Sequence, residues 1–123
     1  MDKLIKEEFF KEFSINEDYF LSTGLDWTEL EKIYEDYVSL VPLLEKEAEY
    51  VVSKLIDVSS VHSVRRRVKK PSHLIEKIIR KGKKYQERNI SVDNYKEIVT
   101  DLIGIRVLHL FKDDWQTIHH EIL

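Results

Sequence analysis

The first half of the chain carries hydrophobic residues at the spacing of α-helices. The apolar positions in residues 4–13 predict a short amphipathic helix, and a break follows around 22–24. From residue 30 onward, apolar residues recur at alternating steps of four and three, which predicts one long helix. Its apolar stripe comprises Leu30, Tyr34, Tyr37, Val41, Leu44, Ala48, Val51 and Leu55. Asp26 and Glu29 are spaced as a capping box at its start, and Pro42 should kink or divide it.

After residue 60 the pattern changes to strands that alternate with helices. Residues 61–69 alternate with a period of two, so a row of cations occupies one face of a predicted strand. That face comprises Ser63, Arg65, Arg67 and Lys69, and the other comprises Val64, Arg66 and Val68. Pro71 then opens a predicted helix, which ends or frays at 81–84. The apolar stripe of that helix is Leu74, Ile75, Ile78 and Ile79. The remaining predicted elements are a short helix over 94–100, a buried strand over 103–111 and an amphipathic segment over 115–123.

Together these elements predict an α+β fold, in which a mixed sheet carries flanking helices. A long helical segment precedes the sheet, and the change in pattern places a domain boundary between residues 1–57 and 58–123. The long helix is expected to pack within its own chain, and a dimerising coiled coil is the alternative.

The composition is that of one small globular domain. Of 123 residues, 42% are hydrophobic and 35% are charged, which supplies enough apolar surface for a core. The absence of cysteine excludes disulfides, thiolate metal sites and a cysteine nucleophile. No stretch reaches the roughly 20 apolar residues of a membrane span, and the N-terminus lacks a signal-peptide pattern, so a cytoplasmic protein is expected.

Charge is distributed unevenly along the chain. Residues 1–60 carry 15 acidic and 6 basic side chains, whereas 61–123 carry 8 acidic and 14 basic ones. Residues 65–88 alone contain 11 Lys and Arg but only two Glu. Like charges at this density repel one another unless they meet an anion or solvent. The pattern therefore predicts binding to nucleic acid, a nucleotide polyphosphate or a phospholipid surface.

The second predicted strand is interrupted by residues that do not fit a buried apolar run. Gly104 and Arg106 interrupt it, and Asp101 stands just before it. An arginine in such a run needs a carboxylate, the sheet edge or a ligand, so Asp101 and Arg106 are candidates for a structural ion pair. Alternatively, a carboxylate at the mouth of a strand is suited to binding Mg²⁺ together with substrate phosphates.

Two short motifs in this half of the chain resemble the RelA/SpoT alarmone synthetase domain. The first is Arg67-Val68-Lys69, followed by Pro71, Leu74 and Lys77, and the second is the run Asp101-Leu102-Ile103-Gly104-Ile105-Arg106-Val107. The resemblance covers about half the chain, and the two motifs in this order are more specific than either alone. The resemblance implies a nucleotidyltransferase-like sheet with flanking helices. It also implies transfer of pyrophosphate from ATP to the 3′-hydroxyl of GTP or GDP, which makes (p)ppGpp.

The resemblance also implies roles for individual residues. Arg67 and Arg106 match the family's arginines that stack on the two faces of the ATP adenine, a use suited to planar guanidinium groups. Lys69 and Lys77 match cations that hold the ATP phosphates. Asp101 matches a catalytic, magnesium-binding carboxylate, so Mg²⁺ is the implied cofactor.

The chain departs from the family pattern at two places. The family often has serine six residues after the arginine of the first motif, where this chain has His73, with Ser72 one place earlier. Either residue is a candidate phosphate contact. The family's second catalytic glutamate and its guanine-stacking tyrosine have no counterpart before Leu123, so we expect a truncated domain whose C-terminal remainder is missing and which is inactive alone.

Other functions stay open on sequence grounds. The basic stretch could serve pyrophosphate transfer to the 3′ end of tRNA, although the acidic balance elsewhere disfavours a nucleic-acid partner. A noncatalytic module that binds nucleotide or nucleic acid is the third alternative. The sheet edge and the long helix also make homo-oligomerisation an open prediction, whereas no membrane partner is expected.

Overall fold

The structure is a computed structural model that describes residues 4–58 and 63–108. Within these ranges the order of elements is α1 (Lys6–Glu12), α2 (Glu17–Thr23), α3 (Trp27–Ile56), β1 (Ser63–Val68), α4 (Pro71–Arg80), α5 (Gly82–Glu87), α6 (Tyr95–Ile98) and β2 (Ile103–Leu108). The predicted α+β class is confirmed. None of the described helices combines the length and hydrophobicity that a bilayer crossing requires. The segment predicted over 115–123 lies outside the described residues.

The described residues form two compact units. The first contains the described parts of Met1–Leu40 and Lys69–Leu102, and the second contains those of Val41–Val68 and Ile103–Leu123. The boundary drawn from sequence between residues 57 and 58 stays a prediction.

The first unit is helical, and α4 supplies four of its buried side chains. The predicted stripe of α4 is confirmed, since Leu74, Ile75, Ile78 and Ile79 are all buried. Pro71 opens this helix at its first turn, where a missing N–H costs nothing. Further buried side chains come from every other element of the unit: Phe9, Phe20, Leu30, Ile33, Tyr37, Tyr85, Tyr95 and Ile98. Burial of this stripe fixes the apolar face of α4, which leaves its other face available for polar side chains.

The N-terminal segments are confirmed as helical, with one element more than the sequence predicted. Helix α1 matches the predicted amphipathic helix. Helix α2 follows it over residues for which no element was predicted, and it ends at the expected break around residues 22–24. The Asn16 side chain accepts a hydrogen bond from the Tyr19 N–H, and Gly24 ends α2 in the left-handed conformation. An aromatic cluster joins α1, α2 and the start of α3, and comprises Phe9, Phe10, Phe13, Phe20 and Trp27.

Helix α3 continues through Pro42, so the proline does not divide it, and the expected kink at Pro42 stays a prediction. At its start, Asp26 accepts a hydrogen bond from the Thr28 N–H, as a cap should. Glu29, the other half of the predicted capping box, accepts a hydrogen bond from the Val92 N–H. The long stripe is confirmed at Leu30, Tyr37, Leu44 and Ala48, which are buried. The stripe also included Val51, but this residue is 41% exposed, so its predicted place in the core is wrong.

The second unit contains the sheet. Strands β1 and β2 pair antiparallel, with Val64 opposite Val107, Arg65 opposite Arg106 and Arg67 opposite Gly104. The strand predicted as buried is half exposed instead, because the described sheet has two strands and one of its faces carries charged side chains.

Arg66 lies on the valine face of β1 and connects the sheet to the second half of α3. Its guanidinium lies 3.0 Å from Glu45 Oε2 and 3.3 Å from Glu49 Oε1, and it also donates to the Glu45 carbonyl. These acceptors explain why an arginine occupies the valine face, and they separate Arg66 from the arginines on the other face of β1.

The close packing of α2 on α5 gives a stability prediction at Gly82. A Cβ atom at this buried glycine would lie 2.6 Å from the Cβ of Thr23, which is itself buried. Gly82→Ala should therefore destabilise the chain by about 1–3 kcal/mol, despite the helix propensity of alanine. Urea unfolding measures the change, with Lys83→Ala on the exposed side of α5 as the control. A stabilised Gly82→Ala variant would contradict this close contact.

Candidate functional site

Two lysines and one aspartate meet in the first unit. Asp101 Oδ1 lies 2.8 Å from Lys77 Nζ, and its Oδ2 lies 3.2 Å from Lys69 Nζ. Each lysine side chain is only 14% exposed, whereas that of Asp101 is 49% exposed. The two cations are therefore partly desolvated and converge on a carboxylate that solvent reaches, and an incoming anion could replace it. We call these three residues the lysine–aspartate cluster.

The backbone around Lys69 is fixed from two sides. Its N–H donates to the Leu102 carbonyl at 2.8 Å, which ties the residue to the segment next to Asp101. Its carbonyl accepts a hydrogen bond of 2.6 Å from the hydroxyl of Tyr37, a buried residue of α3. Lys77 is carried by α4, whose apolar face is buried. Both lysines thus extend from immobilised backbone, so little chain entropy is lost when they bind an anion.

The tyrosine that holds the Lys69 carbonyl belongs to a buried pair of tyrosines. The rings of Tyr37 and Tyr95 meet edge to face at 6.3 Å, and the Tyr95 hydroxyl donates to Asp36 Oδ2 at 2.6 Å. Burial, together with the hydrogen bond and charge of Asp36, raises the pKa of Tyr95. Tyr95 is therefore a protonated structural donor rather than a candidate base.

The two lysines also control the ionisation of Asp101. Its partial burial alone would raise its pKa, but the hydrogen bonds and charges of Lys77 and Lys69 outweigh that effect and hold the pKa below its ordinary value of 3.8. Asp101 is consequently a carboxylate at any physiological pH, and it carries the negative charge that a cation or a pair of ammonium groups requires.

This lowered pKa gives a pH-dependent prediction. A carboxylate whose pKa falls on folding stabilises the fold above its unfolded-state pKa, and this contribution is lost as the pH drops through the folded-state value. Asp101→Asn should therefore be less stable than the parent at pH 7, by roughly 1 kcal/mol or less for so exposed a group, and equal to it near pH 2. Thermal unfolding at both pH values measures the difference. An offset that does not change with pH would contradict the ion-pair contribution.

Three arginines occupy the exposed face of the sheet in the second unit. Residues directly opposite or two apart share a face, so Arg65, Arg67 and Arg106 lie on the same side together with Gly104. They line an open concavity of about 470 Å³, to which Arg66 and Ile105 also contribute. Arg67 and Arg106, singled out by sequence, are thus brought together. We call this surface the arginine face.

The two candidate phosphate contacts lie in the first turn of α4. Ser72 is half-buried there. The His73 ring packs edge-on against Phe13 of the aromatic cluster, with 6.0 Å between ring centroids. The phosphate contact assigned to either residue stays a prediction.

Comparison with protein families gives one match. Residues 66–123, just under half of the chain, match the family model described as "Region found in RelA / SpoT proteins". Residues 66–123 are therefore part of a RelA/SpoT-family domain. Comparisons with curated proteins and with solved structures gave no match. The matched RelA/SpoT region contains all seven site residues chosen from sequence, which are Arg67, Lys69, Ser72, His73, Lys77, Asp101 and Arg106.

The family implies Mg²⁺, so the fit of this ion to the RelA/SpoT region can be examined. Among the described residues, no group of three or more His, Cys, Asp or Glu side chains could hold a metal. Mg²⁺ is, however, commonly held by one or two carboxylates together with substrate phosphates. Asp101 is a half-exposed carboxylate beside two cations suited to phosphate, so it fits as a single protein ligand in the presence of a polyphosphate.

Sequence reasoning missed two residues that lie before residue 66 but accompany the candidate site residues, Tyr37 and Arg65. Tyr37 was placed in a core stripe, but its hydroxyl also holds the Lys69 carbonyl. The sequence did contain a signal for this contact. A tyrosine stands in the apolar stripe where leucine would serve, and a buried hydroxyl needs a hydrogen-bond partner. Arg65 was treated as general positive charge, whereas the strand register places it opposite Arg106.

Proposed function

We propose that the RelA/SpoT region transfers pyrophosphate from ATP to the 3′-hydroxyl of GTP or GDP and so makes (p)ppGpp. The observation that carries this proposal is the lysine–aspartate cluster, in which two partly desolvated ammonium groups converge on one exposed carboxylate. Such a cluster suits a polyphosphate, because the phosphate oxygens offer the lysines more negative charge than Asp101 does.

In this proposal each residue keeps the role that the family resemblance implies. Lys69 and Lys77 hold the phosphates of ATP, and Arg67 and Arg106 stack on its adenine. Asp101 is one ligand of Mg²⁺, which when bound neutralises charge on the phosphates. Ser72 and His73 are further candidates for a phosphate contact.

The reaction itself requires little covalent chemistry from the protein. The 3′-hydroxyl of the acceptor loses its proton to solvent as its oxygen forms a bond to the β-phosphorus of ATP. The bond from that phosphorus to the α,β-bridging oxygen breaks, and AMP leaves. Lys69 and Lys77 would keep the phosphate chain in line with the acceptor and offset its charge as the bond breaks. Their immobilised backbones suit this task, since positioning contributes only when it is set before the reaction.

The test is a transfer assay with the full-length polypeptide that contains these residues. The protein is incubated with ATP labelled at the γ-phosphate, Mg²⁺ and either GTP or GDP, and the nucleotides are separated. Labelled (p)ppGpp should form, should fall at least a hundredfold in Lys77→Met, and should be unaffected in Lys83→Met. Label on the 3′ end of added tRNA, with none on GTP or GDP, would favour the alternative acceptor. No transfer to any of them, with intact ATP binding, would favour a noncatalytic module.

A further inference from the structure

Gly104 is the second residue of β2, although neither its backbone nor its packing requires glycine. Glycine in a strand costs about 0.5–1 kcal/mol relative to alanine, so its presence there needs a reason. Among the described glycines, a positive φ occurs at Gly24 and not at Gly104. A Cβ atom at Gly104 would meet only the Arg67 carbonyl oxygen, at an ordinary 4.0 Å. The reason that remains is that glycine keeps the space over this position of the arginine face free of a side chain.

The register of the sheet defines the shape of that space. Four positions of the arginine face form the corners of a parallelogram: Arg65 opposite Arg106, and Arg67 opposite Gly104. Directly opposite residues have Cβ atoms about 4.5–5.5 Å apart, whereas diagonal neighbours are about 7–8 Å apart. Arg65 and Arg106 are therefore too close to admit a ring between them, and Arg67 and Arg106 form the diagonal pair.

The diagonal distance matches the thickness of a stacked planar ring. Atoms in van der Waals contact lie about 3.5–4.0 Å apart, so a ring contacted on both faces separates its two partners by about 7–8 Å. This is the spacing that the register gives Arg67 and Arg106. A ring between them would extend over the corner at Gly104, where no side chain intervenes.

We propose that Gly104 is a specificity-determining residue of the nucleotide site. Its missing side chain leaves the slot between Arg67 and Arg106 into which the planar base of the nucleoside triphosphate inserts. This inference rests on the proposed function and adds the reason why the base binds between this pair of arginines. Any side chain at Gly104 would project into the slot, and a β-branched one would fill it without disturbing the strand.

Binding measurements on a size series at this position test the inference. The parent protein, Gly104→Ala and Gly104→Val are titrated calorimetrically with ATP and with inorganic tripolyphosphate, which lacks the base. Affinity for ATP should fall with side-chain size, by at least tenfold in Gly104→Val, whereas tripolyphosphate should bind all three equally. Ser63→Val, which adds similar bulk to the same face beyond Arg65, should leave both affinities unchanged. The melting temperature of Gly104→Val should equal or exceed that of the parent.

Comparison with Arg67→Ala separates the failure of this inference from the failure of the proposed function. If Arg67→Ala weakens ATP binding and Gly104→Val does not, the base lies elsewhere on the arginine face and the inference is wrong. If neither substitution changes ATP affinity, the arginine face binds no base, and both the inference and the assigned roles fail. If Gly104→Val loses tripolyphosphate binding or melts earlier than the parent, the glycine is structural and the inference is overturned.

Discussion

Replacing Lys77 by methionine should weaken binding of ATP by about tenfold to a hundredfold. Hydrogen bonds to charged groups contribute about 1.5–3 kcal/mol, and each 1.4 kcal/mol is a tenfold change in affinity. The Lys77 ammonium lies at the upper end of this range, because its side chain is only 14% exposed. Its loss also leaves Asp101 with Lys69 as its remaining partner in the cluster, which ties up the second cation. Lys69→Met should act in the same direction, and the double variant should show no measurable binding.

Calorimetric titration with ATP measures the effect, and tripolyphosphate checks that the lost contact is to phosphate. Lys83→Met is the matched control, because it removes the same charge from the exposed surface of α5. A surface field of positive charge would make the lysines interchangeable. Equal losses in Lys77→Met and Lys83→Met would therefore show that binding depends on overall charge rather than on the lysine–aspartate cluster.

Elements with a strong local period could be predicted from sequence. The four apolar residues of α4 are spaced so that they share one helix face, and Pro71 fixes where that face begins. The alternation in β1 likewise gave the correct face to Arg67. Each of these two signals comes from residues close together in sequence and depends only on helix or strand geometry. Helix α2 had weaker but readable signals, since Asn16 and Gly24 are typical residues for its two ends.

Properties set by distant partners could not be predicted in this way. The run around Ile105 has the hydrophobicity of a buried strand, but its exposure depends on how many strands flank it, and no local pattern encodes that number. The nearest cation in the motif of Asp101 is Arg106, and spacing made that ion pair one of two alternatives. The structure instead gives Asp101 two lysines from distant parts of the sequence, which only the tertiary fold brings together.

The lysine–aspartate cluster implies that Asp101 competes with phosphate when Mg²⁺ is absent. Both of its oxygens contact the ammonium groups that ATP would use, so binding of ATP must first break two ion pairs. Asp101→Asn removes the competing charge and leaves both lysines available. Without Mg²⁺, this variant should therefore bind ATP severalfold more tightly than the parent.

With Mg²⁺ present, the order of affinities should reverse. The neutral amide is a poor ligand for Mg²⁺, so the increase in ATP affinity that the ion gives the parent should be lost in Asp101→Asn. Pyrophosphate transfer by the full-length polypeptide should fall at least a hundredfold. Titrations with ATP in EDTA and in Mg²⁺ separate the two effects, and Asp93→Asn, which removes an exposed carboxylate, should change neither. If Asp101→Asn weakens ATP binding even in EDTA, the carboxylate does not compete with phosphate. It then holds Lys69 and Lys77 in place against their mutual repulsion.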